Sequence, residues 1–179
     1  MQMRFLNPSE ISSQASSQHV LRLGTALTLD AKAKYATLGA ALKNAYMLYF
    51  DWLNNHQGGV LVNGALHKVE LILVDDMSSK VLVGQITDYL LDTLRLRVLL
   101  APYSSGLTGI VAAKANLSQA LVVAAGSSLT NVFEGRPTVF GMLTPSSQYF
   151  PGAVEVLGKA DGGSKKTIVI VQENKKVTL

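Results

Sequence analysis

From residue 20 the chain alternates short apolar runs with stretches in which apolar residues recur every three or four positions. The first run, VLRLGTALTL at residues 20–29, has strand composition and ends in a threonine-bearing turn. Asp30 stands where it can cap the next element, a helix predicted over residues 31–55. Within it Leu38, Leu42, Ala45, Tyr49 and Trp52 form a stripe at helical spacing. Tyr46, Tyr49 and Trp52 share that spacing, so they read as core and helix-face residues rather than a ligand-stacking cluster. Gln57-Gly58-Gly59 ends the helix, and Asn63-Gly64 marks a tight turn.

Residues 69–74 are a nearly continuous apolar run, the pattern of a strand covered on both faces. A second helix follows Met77-Ser78-Ser79 and reaches residue 94, with Leu82, Ile86, Tyr89, Leu90 and Leu94 as its inward face. Strand 98–101, loop 102–106, helix 107–117 and strand 120–125 come next. A strand-like stretch at 138–143, a helix near 147–159, a glycine-rich turn at 161–163 and a last strand at 167–171 complete the pattern. Strands separated by helices predict a three-layer, doubly wound, mostly parallel α/β sheet of flavodoxin-like strand order. Ligands in such sheets bind at the carboxyl ends of the strands. That rule singles out four loops, at residues 25–30, 75–79, 103–108 and 126–130.

Composition narrows the field. The 179 residues are 48% hydrophobic and 16% charged, which excludes general disorder. There is no cysteine, so disulfides, thiolate metal sites and cysteine nucleophiles are excluded. The net charge is +4, but the basic residues are scattered and form no stripe of the kind nucleic acid requires. No apolar run approaches the roughly 20 residues of a membrane span. Residues 1–19, rich in Ser and Gln and without a long apolar stretch, are expected to be a disordered leader or linker.

The loop Ser104-Ser105-Gly106-Leu107-Thr108 lies between a buried strand and a helix start, where free amides and the helix dipole favour an anion. The alternative is an ordinary serine cap. Gly126-Ser127-Ser128, at the end of the next strand, offers hydroxyls and carbonyls to an ammonium or hydroxyl group, or is a simple turn. Asp75-Asp76 is read as a helix cap rather than a metal or acid–base pair. A phosphoreceiver would need its paired acids after the first strand, which ends instead in residues 25–29. His19, His56 and His67 are isolated in sequence, with no metal-ligand spacing. There is no G-x-S-x-G elbow and no G-x-G-x-x-G, and residues 158–166 lack the Gly-Lys-Ser/Thr ending of a phosphate loop. Asn116-Leu117-Ser118 is a sequon of the kind that arises by chance. No cofactor is implied.

The runs YFDWLNNHQGG (49–59), VLVNGALHKVELILVDDMSS (60–79) and LLAPYSSGLT (99–108), continued by TPSSQYF (144–150) and KKTIVIVQE (165–173), resemble type I periplasmic binding proteins, nearest to the leucine/isoleucine/valine-binding group. The resemblance implies that residues 20–174 are an amino-terminal lobe, with residues 175–179 starting a crossover to a second lobe. It implies a small polar ligand such as an amino acid, a periplasmic or extracellular setting, no catalysis, no nucleic acid, and a permease or receptor module as partner. Ser104 and Ser105 would then hold a carboxylate, and Gly126, Ser127 and Ser128 an ammonium. Rival readings are a diverged, ligand-free lobe acting as an interaction module, and a small flavodoxin-like enzyme.

Overall fold

A computed structural model of the protein describes residues 19–160, 167 and 169. The leader expected at 1–19 (His19 excepted), the turn at 161–163 and the crossover at 175–179 lie outside the described residues. So does the strand expected at 167–171, apart from Thr167 and Val169. The chain divides into two compact units, Met1–Ser147 and Gln148–Leu179.

In the first unit β1 (Val20–Leu27), α1 (Ala36–His56), β2 (Val60–Val62), β3 (Ala65–Asp75), α2 (Lys80–Asp88), β4 (Val98–Leu100), α3 (Ser105–Leu117), β5 (Leu121–Ala124) and β6 (Val139–Gly141) follow in order. In the second unit α4 (Pro151–Lys159) begins on a proline, where the missing N–H costs nothing. One sheet runs β2-β3-β1-β4-β5-β6. All neighbours are parallel except β2, which pairs antiparallel with β3. The Asn63-Gly64 turn joins that hairpin with φ of 49° and 82°, the left-handed pair a two-residue turn needs. The predicted α/β class and strand order hold. The winding reverses between β1 and β4, the kind of switch point near which such sheets bind ligands.

Alternation along the strands sorts the core into two layers. Leu23, Val69 and Leu100 face α1 and pack with Phe50, with Tyr46 and Leu53 partly buried beside them. Ala26, Leu99, Val122 and Ala124 face the other way, against Val83, Ile86 and Leu90 of the α2 segment and Val111, Ala112 and Ala115 of α3.

Three sequence expectations need correction. First, α1 starts at Ala36, not at residue 31, and Asp30 does not cap it: its Oδ1 accepts the Lys32 amide inside a preceding turn. Second, the stripe of Leu38, Tyr49 and Trp52 points outward, with 41%, 55% and 45% of each side chain exposed. The inward face is one residue out of phase, through Gly39, Tyr46, Phe50 and Leu53. Gly39 decides the phase, because a Cβ there would lie 2.0 Å from the Thr28 carbonyl oxygen. Third, the inward face expected for α2 holds at Leu82, Ile86, Leu90 and Leu94, but the helix passes into a π-turn at Tyr89–Thr93, which shifts its phase and brings Leu91 inside as well.

Candidate functional site

The parallel ladder sets the carboxyl ends of β1, β3, β4 and β5 along one rim. Two of the four loops on that rim are bonded to each other. The Ser104 amide donates to the Gly126 carbonyl at 3.0 Å. Ser105 Oγ accepts the Ser127 hydroxyl at 3.1 Å and the amides of Ser128 and Leu129, each at 3.3 Å. Gly126 is required by this closeness: a Cβ on it would sit 2.8 Å from the Tyr103 ring and 2.9 Å from the Tyr103 Cα. The structure thus brings Ser104, Ser105, Gly126, Ser127 and Ser128 together.

Their situations differ. Ser104 adopts φ 87° and ψ 139°, a conformation costly for any residue but glycine. Its Oγ accepts the Leu107 amide and its carbonyl the Thr108 amide, so it caps α3. Among the described residues the amides of Ser105 and Gly106 meet no acceptor and are the open donors of the first turn, where the helix dipole adds positive potential. Ser105 and Ser128 are half-buried and Gly106 is exposed, whereas Ser127 is fully buried, behind Ser105. Ser128 uses its carbonyl to accept the Ser146 amide at 2.8 Å. The Lys80 side chain was not anticipated from sequence. Its Cε passes 3.9 Å from where a Cβ on Gly106 would lie, beside the start of α3.

The other two loops form a second cluster. Asp75-Asp76 does not cap α2; Ser79 does, accepting the Leu82 amide. Asp75 Oδ1 accepts the amides of Leu29 and Met77. Asp76 is fully buried. Its Oδ1 accepts the Thr28 hydroxyl at 2.5 Å and the Ser78 amide at 2.7 Å, while Oδ2 meets no partner among the described residues. Burial pushes the Asp76 carboxyl above its ordinary range; the Thr28 and Ser78 bonds oppose this, and the neighbouring Asp75 charge adds to it. The Ser78 hydroxyl accepts the Tyr35 amide, and the Tyr35 and Tyr103 rings lie 5.6 Å apart, so the cluster reaches the loop after β4. Beyond the loop after β5, Thr130, Phe133, Glu134, Gly141, Leu143 and Pro145 line a cavity of about 400 Å³.

Among the described residues no three His, Asp or Glu side chains gather as metal ligands, and no helix is long and apolar enough to cross a membrane. The histidines are less scattered than the sequence suggests, since His19 and His67 are in ring contact.

Residues 23–177 match the periplasmic binding protein family, and the chain belongs to it. The fold is also that of several solved structures. The branched-chain amino acid transporter substrate-binding protein LivJ from Streptococcus pneumoniae, solved with isoleucine, is 17% identical with a TM-score of 0.66 over 78% of this chain and 38% of that one. The leucine-binding protein LivK from Thermotoga maritima is 16% identical, with a TM-score of 0.64 over 79% of this chain and 37% of its own. A solute-binding protein of an ABC transporter from Rhodopseudomonas palustris HaA2, solved with p-hydroxybenzoic acid, is 20% identical, with a TM-score of 0.62 over 80% of this chain and 36% of that one. The chain therefore spans less than two fifths of the length of each of these proteins.

Proposed function

We propose that this chain is a ligand-binding lobe whose site holds the carboxylate of a small organic acid, amino acids included, and that it performs no catalysis. The observation that carries the reading is the use of the two serine hydroxyls. Each oxygen already accepts from a backbone amide, Ser104 from Leu107 and Ser105 from Ser128 and Leu129. Each hydroxyl hydrogen is thereby left to donate. Two O–H donors, the Ser105 and Gly106 amides and a helix N-terminus converge in a pattern that suits an anion. The bound molecules of the similar proteins, isoleucine and p-hydroxybenzoic acid, share a carboxylate and little else.

For an amino acid, the ammonium would be taken by the remaining lone pair of the Gly126 carbonyl and by the Ser128 hydroxyl. Ser127 serves as the tether that orients Ser105. In the family setting the lobe works in the periplasm or outside the cell, closes with a second lobe over the ligand, and delivers to a permease or a receptor module. One lobe alone holds the ligand weakly, because half of the enclosing surface is missing.

The test is titration of the chain with isoleucine and with p-hydroxybenzoate, followed by NMR. A Ser104→Ala, Ser105→Ala double variant is expected to bind about ten- to a hundredfold more weakly, the loss of hydrogen bonds to a charged group. Unchanged affinity in that variant would refute the assignment. A second reading, an interaction module, is favoured by the outward face of α1, where Leu48, Tyr49 and Trp52 are exposed. Concentration-dependent sedimentation with no response to either acid would select it.

A further inference from the structure

At the opposite end of the sheet, away from the serine loops, we propose that His19 and His67 form a two-imidazole site for a divalent transition-metal ion of the copper, nickel or zinc type. The proposal does not depend on the carboxylate reading.

The site is built by the ladder. β1 and β3 are parallel with Val20 opposite Lys68, which places His19 opposite His67 one rung earlier. The Lys68 amide donates to the His19 carbonyl at 2.9 Å, so that rung is closed. Side chains opposite each other in a ladder stand on the same face, about 4.8 Å apart. The two ring centres are indeed 4.8 Å apart, with the planes inclined by 40°.

His67 is also oriented. Its Nδ1 lies 3.0 Å from the Ala65 carbonyl, which can only accept, so Nδ1 carries the proton and Nε2 the lone pair. A backbone carbonyl behind the ring is the partner a metal-binding histidine commonly has. His19 is exposed, which lets its ring turn toward a shared ion. A metal ion sits about 2.0–2.1 Å from an imidazole nitrogen, hence roughly 3.2 Å from the ring centre. With a nitrogen of each ring turned to one ion, ring centres 4.8 Å apart subtend about 97° there, between the square-planar and tetrahedral values. Imidazole donors select copper, nickel and zinc over magnesium and calcium. No third His, Asp or Glu joins the pair among the described residues.

The experiment is titration of the unaltered chain with Cu²⁺ alone, followed by electron paramagnetic resonance, with Zn²⁺ competition. The expected result is one copper per chain, with hyperfine coupling to two imidazole nitrogens, displaced by Zn²⁺ only in large excess. His19→Ala and His67→Ala should each weaken binding by at least tenfold, while His56→Ala leaves it unchanged. A spectrum with a single coupled imidazole would overturn the proposal, and so would His19 or His67 variants that bind copper like the unaltered chain. Either result would reduce the pair to an aromatic contact only.

Discussion

Replacing Ser105 by alanine removes the acceptor that joins the two serine loops. Three donors lose their partner: the Ser127 hydroxyl at 3.1 Å and the amides of Ser128 and Leu129, each at 3.3 Å. The losses are unequal. Leu129 is exposed, so water replaces its bond at little cost, and Ser128 is half-buried. Ser127 is fully buried, and a buried donor left unpaired costs about 1–3 kcal/mol. The long distances place the total near the lower end, about 1–2 kcal/mol. For a chain of this size that lowers the melting temperature by about 2–8 °C.

The double variant isolates the bond itself. With Ser127→Ala added the buried hydroxyl donor is gone too, and only the half-buried Ser128 and exposed Leu129 amides still lack the Ser105 acceptor, so part of the loss should return. The double-mutant cycle should show a coupling of about 0.5–1.5 kcal/mol between the two positions. Urea denaturation of the four proteins measures it. A Ser105→Ala protein within about 0.5 kcal/mol of the unaltered chain, or strictly additive losses, would refute the argument that this hydroxyl holds the loops together.

Gly39→Ala should destabilise by about 1–3 kcal/mol or more, read by the same denaturation, because the new Cβ meets the Thr28 backbone carbonyl at 2.0 Å; an unchanged midpoint would mean that α1 does not lie so close. Ser104→Gly should keep the stability within about 1 kcal/mol, since relief of the positive φ offsets the lost cap, while weakening carboxylate binding; a large drop in stability would contradict the strain at this position. Asp76 has its carboxyl pKa raised in the folded chain, so its favourable contribution is full below the unfolded value, about 3.9, and is lost as pH rises through the folded one. The stability of the unaltered chain minus that of Asp76→Asn should therefore fall from pH 4 to pH 7, and a flat difference in melting temperature across that window would count against the burial argument.

The parts of this fold that were legible in the sequence are those in which each residue speaks for itself. Apolar runs between turn residues gave β1, β3, β4 and β5 to within a few positions, and Asn63-Gly64 marked its hairpin. The serine loops were legible because the carboxyl ends of parallel strands are where loops converge. What escaped depends on contacts between distant segments. The facing of α1 was misread because apolar residues occupy two adjacent stripes of that helix, and the choice between them rests on the approach of Gly39 to Thr28. Asp30 looked like a cap, but the chain spends residues 30–35 in turns, and Ser78 receives the Tyr35 amide from a loop 43 residues away. Asp75-Asp76 looked like a cap for the same local reason, while its oxygens reach across to Thr28 and Leu29. Lys80 and the pairing of His19 with His67 carry no local signal, since only the helix packing and the ladder register bring them into place.

The carboxylate site is tested most directly by amide NMR of the chain titrated with isoleucine and, separately, with its uncharged-carboxyl analogue isoleucinamide. With isoleucine the largest shifts should fall on Ser105, Gly106 and Ser128, and with the amide those on Ser105 and Gly106 should vanish. Equal responses to both compounds, or shifts centred on any other loop, would contradict the account.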